Sequence, residues 1–395
     1  MSCENPPTKK KVRVLSVFGT RPEAIKMAPV VRTLRTTSGI ESRVCVTAQH
    51  REMLDQVLEA FEITPDYDLD LMRSGQGLFD LTARVLTGMD PVLSDVQPDL
   101  VLVHGDTTTT FAVSLAAFYQ RIAVGHVEAG LRTRNKYAPF PEEMNRQLTS
   151  RLTDLHFAPT PASRANLLMD AIPAEQVFVV GNTAIDALLW MKAKLDHVPS
   201  ILSPWLPDLD ESTRLVLITA HRRESFGEGF EAICLALKDL AGKFRDTRFV
   251  YPVHLNPNVQ DPVRYHLSEI PNISLIEPLP YAPFVALMQR ARIILTDSGG
   301  VQEEAPSLGK PVLVLREITE RPEAVSAGTV LLVGPDRQRI VAEASILLED
   351  SRAYSKMSRT LNPYGDGLAA ERIVDVILES HGLSPCFRHP PFTGS

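Results

Sequence analysis

Short apolar runs alternate along this chain with stretches whose apolar positions recur at helical spacing. A run that is apolar on both faces suits a parallel strand buried between helices, and the longer period suits the helices that cover it. Read this way, the first part of the chain should hold strands at 12–18, 42–47, 100–103, 122–127, 155–158 and 177–180. Helices are expected at 51–61, 78–93, 108–119 and 142–152, and one more opens near Pro22. Proline suits a first helical turn, where its missing N–H would have no partner anyway. A proline-rich stretch without any period, 197–211, reads as connecting structure. A second series of strands then begins, at 214–219, 249–253, 273–276, 293–296, 312–315 and 330–333. The pattern predicts two doubly wound α/β domains, 1–180 with a returning C-terminal segment 368–395, and 181–367. A last helix at about 368–378 should pack back on the first domain, and the tail beyond Leu383, with Pro385, Pro390 and Pro391, reads as loose.

Composition narrows the function classes. At 395 residues the chain exceeds one hydrophobic core, which agrees with two domains. The net charge of −7 gives no general attraction to nucleic acid or to an anionic membrane, so neither partner is expected. Phosphate, if bound, must be held by local Arg, Lys and backbone N–H groups. The cysteines Cys3, Cys45, Cys234 and Cys386 are scattered and form no Cys-x-x-Cys pair, which points to a reducing compartment. Residues 1–11 lack the apolar core of a signal peptide, and no run reaches membrane-span length. A cytoplasmic protein is the expectation, with Lys9-Lys10-Lys11 a solvated leader.

Ligands of open α/β sheets bind beyond the carboxyl ends of the strands, so the segments after each strand matter most. The first strand runs into Gly19-Thr20-Arg21-Pro22, with Arg21 able to fork onto a phosphate and Lys26 one helical turn on. The strand at 293–296 runs into Asp297-Ser298-Gly299-Gly300, whose glycines let backbone N–H groups approach a diphosphate. Glu304 follows one turn later and can accept two ribose hydroxyls, and Arg321 after the next strand is a second phosphate clamp. Acid and base candidates are Asp106, Glu128, Glu142 and His221, each just after a strand or at a helix start. Glu142 and its neighbour Glu143 could equally serve only the helix terminus. The match Gly365-Asp366-Gly367-Leu368-Ala369-Ala370 follows no strand, so no bound NAD is expected. No metal-binding spacing and no Gly-x-Ser-x-Gly elbow occurs, so neither a metal nor hydrolase chemistry of that kind is expected.

In order along the chain, Phe18-Gly19-Thr20-Arg21-Pro22-Glu23, His104-Gly105-Asp106-Thr107-Thr108-Thr109, His126-Val127-Glu128-Ala129-Gly130-Leu131-Arg132, Ala220-His221-Arg222-Arg223-Glu224 and Asp297-Ser298-Gly299-Gly300 closely resemble the bacterial non-hydrolysing UDP-N-acetylglucosamine 2-epimerases. The likeness extends from about Val12 to about Leu378. It implies the glycosyltransferase-B fold, two Rossmann-like domains facing a central cleft, and interconversion of UDP-N-acetylglucosamine with UDP-N-acetylmannosamine. Carried over by motif, Arg21, Lys26, Phe284, Ser298, Gly299, Gly300, Glu304 and Arg321 would hold UDP, and Asp106, Glu128, Glu142 and His221 would surround the sugar. The resemblance also implies a second, regulatory UDP-N-acetylglucosamine near Gln49, Gln76 and Arg222, and a homodimer. Where some members have Gln five residues before Phe284, this chain has Leu279, so a contact to uracil there must come from the backbone. Competing readings are a hydrolysing epimerase, a glycosyltransferase on the same fold, and a nucleotide-sugar sensor without turnover.

Overall fold

The computed structural model describes residues 11–47, 51–71, 75–196, 198, 200–210 and 212–394. The chain divides into two units: residues up to Ala187 together with Gly365–Gly394, and Leu188–Tyr364. In the first unit β1 (Val12–Phe18), β2 (Ile40–Val46), β3 (Tyr67–Asp68), β4 (Leu100–His104), β5 (Ala123–Val127), β6 (Leu155–Ala158) and β7 (Val177–Val179) form one parallel sheet. Its order is β3-β2-β1-β4-β5-β6-β7. In the second unit β8 (Arg214–Thr219), β9 (Thr247–Pro252), β10 (Ile273–Ile276), β11 (Ile293–Thr296), β12 (Val312–Val314) and β13 (Val330–Leu332) pair in parallel. Their order is β10-β9-β8-β11-β12-β13. Both orders wind outward from their first strand and then return to its other side. The reversal falls between β1 and β4 in one unit and between β8 and β11 in the other, and such switch points are where ligands bind.

The central strands are apolar on both faces because helices cover both. All of β4 is buried, as are Leu215–Ile218 of β8 and the whole of β11. Each large apolar side chain so enclosed contributes about 1.5–3 kcal/mol relative to leaving it in water. Periodicity missed β3. It pairs only Cys45 with Tyr67 and Val46 with Asp68, and it is half exposed, so no apolar run marks it. The helix Pro161–Met169, capped by Thr160, also lay outside the expected set.

The C-terminal tail departs most from expectation. The helix Ala369–Ser380 packs on the helix Arg21–Thr36 within the first unit. The tail after it is docked rather than loose. The Asp375 carboxylate accepts the N–H groups of Cys386, Phe387 and Arg388 at 2.7, 3.1 and 2.5 Å. Arg372 donates to the Pro390 carbonyl at 2.7 Å, and the Phe392 N–H bonds Val179 at the end of edge strand β7. Three successive N–H groups of this strap are thus taken by one buried carboxylate, so its prolines do not leave it loose. The glycine pattern at 365–370 has a packing reason. A Cβ on Gly365 would lie 2.9 Å from Ile185 Cγ1, so the residue lets the chain pass close to a helix.

Candidate functional site

In the first unit the switch point is built around Glu23. The helix Arg21–Thr36 opens with a capping box in which Thr20 and Glu23 satisfy each other's backbone. The Glu23 carboxylate, 3% exposed, accepts Gly19 N–H at 3.0 Å and Thr20 N–H at 2.8 Å. Its other oxygen accepts Thr107 Oγ1 at 2.7 Å and Thr110 Oγ1 at 3.3 Å, so one buried group ties the loop after β1 to the loop after β4. Gly19 is required here, because a Cβ would lie 2.0 Å from Thr47 Oγ1. Arg21, half-buried, is the first residue of the helix.

Beyond β4 and β5 stand the expected acid and base groups. Glu128 has φ 63°, a left-handed conformation that a non-glycine residue adopts at a cost. Its carboxylate is hydrogen-bonded to Lys26 Nζ and lies 3.6 Å from His104 Nε2. Burial alone would push this carboxyl up, but Lys26 and His104 outweigh it and hold it well below the usual carboxylate range. Lys26, expected to hold UDP, is thus paired with the carboxylate expected to serve the sugar. Asp106 accepts Arg146 Nε at 2.9 Å and Nη2 at 2.7 Å, while Asn145 Nδ2 donates to its carbonyl at 2.9 Å. The structure separates the two neighbouring glutamates. Glu143 is fully buried and accepts the N–H groups of Thr133 and Arg134, so it organises the preceding loop. Glu142 is half-buried, with Oε2 enclosed and without a hydrogen-bond partner. His126, buried against the Gly105 carbonyl at 2.7 Å, has its pKa pushed down to about 3 by burial and is a neutral structural group.

In the second unit, Ser298 stands at the N-cap position of the short helix Gly299–Glu304 without a side-chain capping bond, and its N–H bonds Thr296 Oγ1 at 2.9 Å. A Cβ on Gly299 would touch the Arg321 guanidinium, 3.5 Å from Nη2, so the glycine keeps open the space beside this fork. Arg321 is held by Glu303, and its N–H bonds Thr319 Oγ1 at 3.1 Å. Glu304 is half-buried at the end of the same helix, and Gly300 has only Ser298 Oγ near its Cβ direction. Phe284 is half-buried on the helix Tyr281–Arg290, and Leu279 just before that helix is buried. His221 follows β8, with Arg222 exposed beside it. The His254 ring stacks on His221 with centroids 5.2 Å apart. Burial pushes the His221 pKa down and Asp297 resists, while His254 and Arg222 add to the fall. Of the regulatory candidates, Gln76 is half-buried near the start of the helix Leu78–Val96, and Gln49 lies outside the described residues.

The switch points therefore bring Arg21, Lys26, Asp106, Glu128 and Glu142 to the strand ends of one sheet, and His221, Ser298, Gly299, Gly300, Glu304 and Arg321 to those of the other. Sequence reasoning did not single out Arg146, Glu303 or Asp297. Arg146 lies one helical turn from Glu142, a spacing that could have marked it. Among the described residues no three His, Cys, Asp or Glu side chains converge as a metal site requires, and no helix is long and apolar enough to cross a membrane.

Residues 32–378 match the sequence profile of UDP-N-acetylglucosamine 2-epimerase. The chain belongs to that family. It is 59% identical over 376 residues to the UDP-N-acetylglucosamine 2-epimerase of Salmonella typhimurium, covering 94% of this chain and 100% of that one. The Escherichia coli 2-epimerase is also 59% identical, over 369 residues, with 93% and 98% covered. The crystal structure of the Neisseria meningitidis 2-epimerase bound to UDP-N-acetylglucosamine superposes with a TM-score of 0.84 at 55% identity, covering 93% of this chain and 100% of that one. The two parallel sheets with alternating helices are thus the Rossmann-like units of a glycosyltransferase-B-type 2-epimerase. The chain is an enzyme of this epimerase family.

Proposed function

We propose that this enzyme interconverts UDP-N-acetylglucosamine and UDP-N-acetylmannosamine without hydrolysis, by reversible elimination and re-addition of UDP. The C2 hydrogen of the sugar is not α to a carbonyl, so direct deprotonation would leave an unsupported carbanion. Removing that proton as the C1–O bond breaks, with UDP taking the bonding electrons, gives a neutral glycal instead. Protonation of C2 on the opposite face and return of UDP to C1 inverts the centre. Arg21, Arg321, the Ser298 hydroxyl and the N–H groups of Gly299 and Gly300 take the diphosphate charge. Phe284 and Glu304 serve the uridine. Asp106, Glu128, Glu142 and His221 serve the sugar as acid, base and orienting groups.

The observation that carries this reading is the unequal setting of the three carboxylates: Glu128 kept ionised by Lys26, Asp106 on Arg146, and Glu142 with an enclosed unpartnered oxygen. Elimination and reprotonation need groups in different roles at C2, and the three carboxylates stand in different surroundings. Gln49, Gln76 and Arg222 are proposed to contact a second, activating UDP-N-acetylglucosamine. A homodimer is supported by the exposed aromatic side chains Phe79, Phe118, Tyr119 and Phe140 of the first unit. The test is turnover in D2O followed by mass spectrometry and phosphorus NMR. Product carrying deuterium at C2, with no accumulation of free UDP, is expected. Retained C2 hydrogen would overturn the elimination, and a steady rise of UDP would make the enzyme hydrolysing.

A further inference from the structure

Asp297 stands directly after β11 and directly before the Ser298–Gly300 turn, and it is completely buried. It reaches across the switch point of its sheet to the residues after β8. Oδ2 accepts the His221 N–H at 2.6 Å and the Arg222 N–H at 2.7 Å. Oδ1 is equally enclosed but has no hydrogen-bond partner, and His221 Nδ1 lies 3.6 Å from it. A buried acceptor left unmade costs about 1–3 kcal/mol, and more when charged. A small shift of the ring would close that distance to a hydrogen bond. The stacked His254 ring, only 12° from parallel, opposes tilting. The adjoining β8–β11 pairing is fixed as well, since Thr219 and Thr296 are register partners and their hydroxyls are 2.5 Å apart.

We propose that Asp297 is a positioning residue for the epimerisation: its carboxylate holds the His221 ring with the proton on Nδ1 and leaves Nε2 as the basic ring atom. A neutral imidazole carries one proton, and the partner of one nitrogen decides which nitrogen carries it. The charged and titratable groups facing His221 are Asp297, His254 and Arg222. Of these, Asp297 is the one that offers a carboxylate oxygen beside Nδ1, at 3.6 Å. Because Asp297 also precedes the diphosphate turn by one residue, a displacement of that turn by UDP is transmitted to the ring through a single side chain. The inference rests on His221 serving the sugar.

The test uses the full-length enzyme labelled with ¹⁵N-histidine, with and without UDP. Long-range proton–nitrogen correlation reports the tautomer, and His221→Gln identifies the signal. The wild type should show Nδ1–H. Asp297→Asn keeps an acceptor for the two backbone N–H groups but turns an amide N–H toward the ring, so His221 should switch to Nε2–H. In that variant kcat should fall on the order of 10²-fold, as for loss of a general acid–base group, with UDP affinity changed by no more than about twofold. A purely structural Asp297 would lower UDP affinity and kcat together without changing the tautomer. A wild-type His221 protonated on Nε2, or an Asp297→Asn enzyme whose kcat is within about threefold of normal, would overturn the positioning claim. Undiminished turnover by His221→Gln would instead overturn the assignment of His221 to the sugar. The wild-type spectrum decides the tautomer even if the Asn variant does not fold.

Discussion

Replacing Lys26 by Met keeps the aliphatic stem of the side chain and removes the charge that faces Glu128. The two side chains are 16% and 13% exposed, so the pair is screened far less than a surface ion pair. Two unit charges 4 Å apart at an effective dielectric constant of 20 interact by about 4 kcal/mol, which sets the scale of the attraction lost. Removing one member of a buried pair typically costs about 3–5 kcal/mol, because the other charge stays behind in an unfavourable place. His104, with Nε2 3.6 Å from the same carboxylate oxygen, offers partial compensation. The expected loss is therefore about 3 kcal/mol at pH 7. Glu128 titrates below its usual range in the folded state. A depressed carboxyl contributes stability above its unfolded value of about 4.3, and that contribution is lost as pH falls through the folded value. The penalty of Lys26→Met should therefore shrink progressively below about pH 4. Hydrogen exchange read on peptides from β4 and β5 reports this unit alone, which avoids assuming that a chain of two units unfolds in one step. The double variant Lys26→Met/Glu128→Gln should recover most of the loss, since no stranded charge remains. A single-variant cost below about 1 kcal/mol, or a double variant as unstable as the sum of the singles, would refute the reasoning.

Gly299→Val should lower UDP affinity at least about tenfold while the fold persists, because the branched side chain fills the space beside the Arg321 guanidinium. Calorimetry finding undiminished affinity would remove the turn from the diphosphate site. Burial pushes the Asp186 carboxyl up to about 7, against the opposing pull of the Ala370 and Ala369 N–H groups. A raised carboxyl stabilises below its unfolded value of about 3.9 and loses that contribution as pH rises to the folded value, so Asp186→Asn should flatten the decline in stability between about pH 4 and pH 7. An unchanged pH profile of unfolding would contradict it. Asp375→Ala leaves three tail N–H groups without their acceptor and should cost about 1–3 kcal/mol of local stability. Trypsin should then cut after Arg388 markedly faster, and equal cleavage rates would show that the strap is held elsewhere.

How much of this was legible depended on whether a residue's neighbours were close in sequence. The central strands could be read because burial on both faces leaves an unbroken apolar run, and β1, β6, β8, β10 and β11 begin and end where the pattern predicted. β3 could not, since two residues pairing with the end of β2 carry no period. The C-terminal strap was hidden for another reason. What fixes it is a carboxylate on the preceding helix, and prolines in a tail look the same whether docked or free. In the candidate site, residue types at strand ends pointed to Asp106, Glu128 and His221, but not to what each would touch. That Lys26 reaches Glu128, 102 positions away, or that Arg146 clasps Asp106, is a property of the folded unit.

Glu23 and Asp297 show what the sequence carried without declaring. In each unit the sheet reverses its order beside its first strand, and there two loops leave neighbouring parallel strands with no backbone ladder to hold them together. In each, one buried carboxylate spans the gap. Glu23 joins Gly19 and Thr20 after β1 to Thr107 and Thr110 after β4, and Asp297 after β11 accepts His221 and Arg222 after β8. A buried carboxylate is costly unless hydrogen bonds compensate it, and backbone N–H groups supply them at a strand end where the ladder has stopped. Apolar side chains could close the same gap but would not fix loop geometry to within a hydrogen bond. A site proposed to hold a departing diphosphate and place a proton needs that tolerance. The consequence differs between the two units. Every oxygen of Glu23 is occupied, so it can only hold its loops, whereas Asp297 keeps Oδ1 in reserve beside an imidazole. The same device that holds the loops of one sheet would therefore, in the other, set the proton on the ring proposed to serve the reaction.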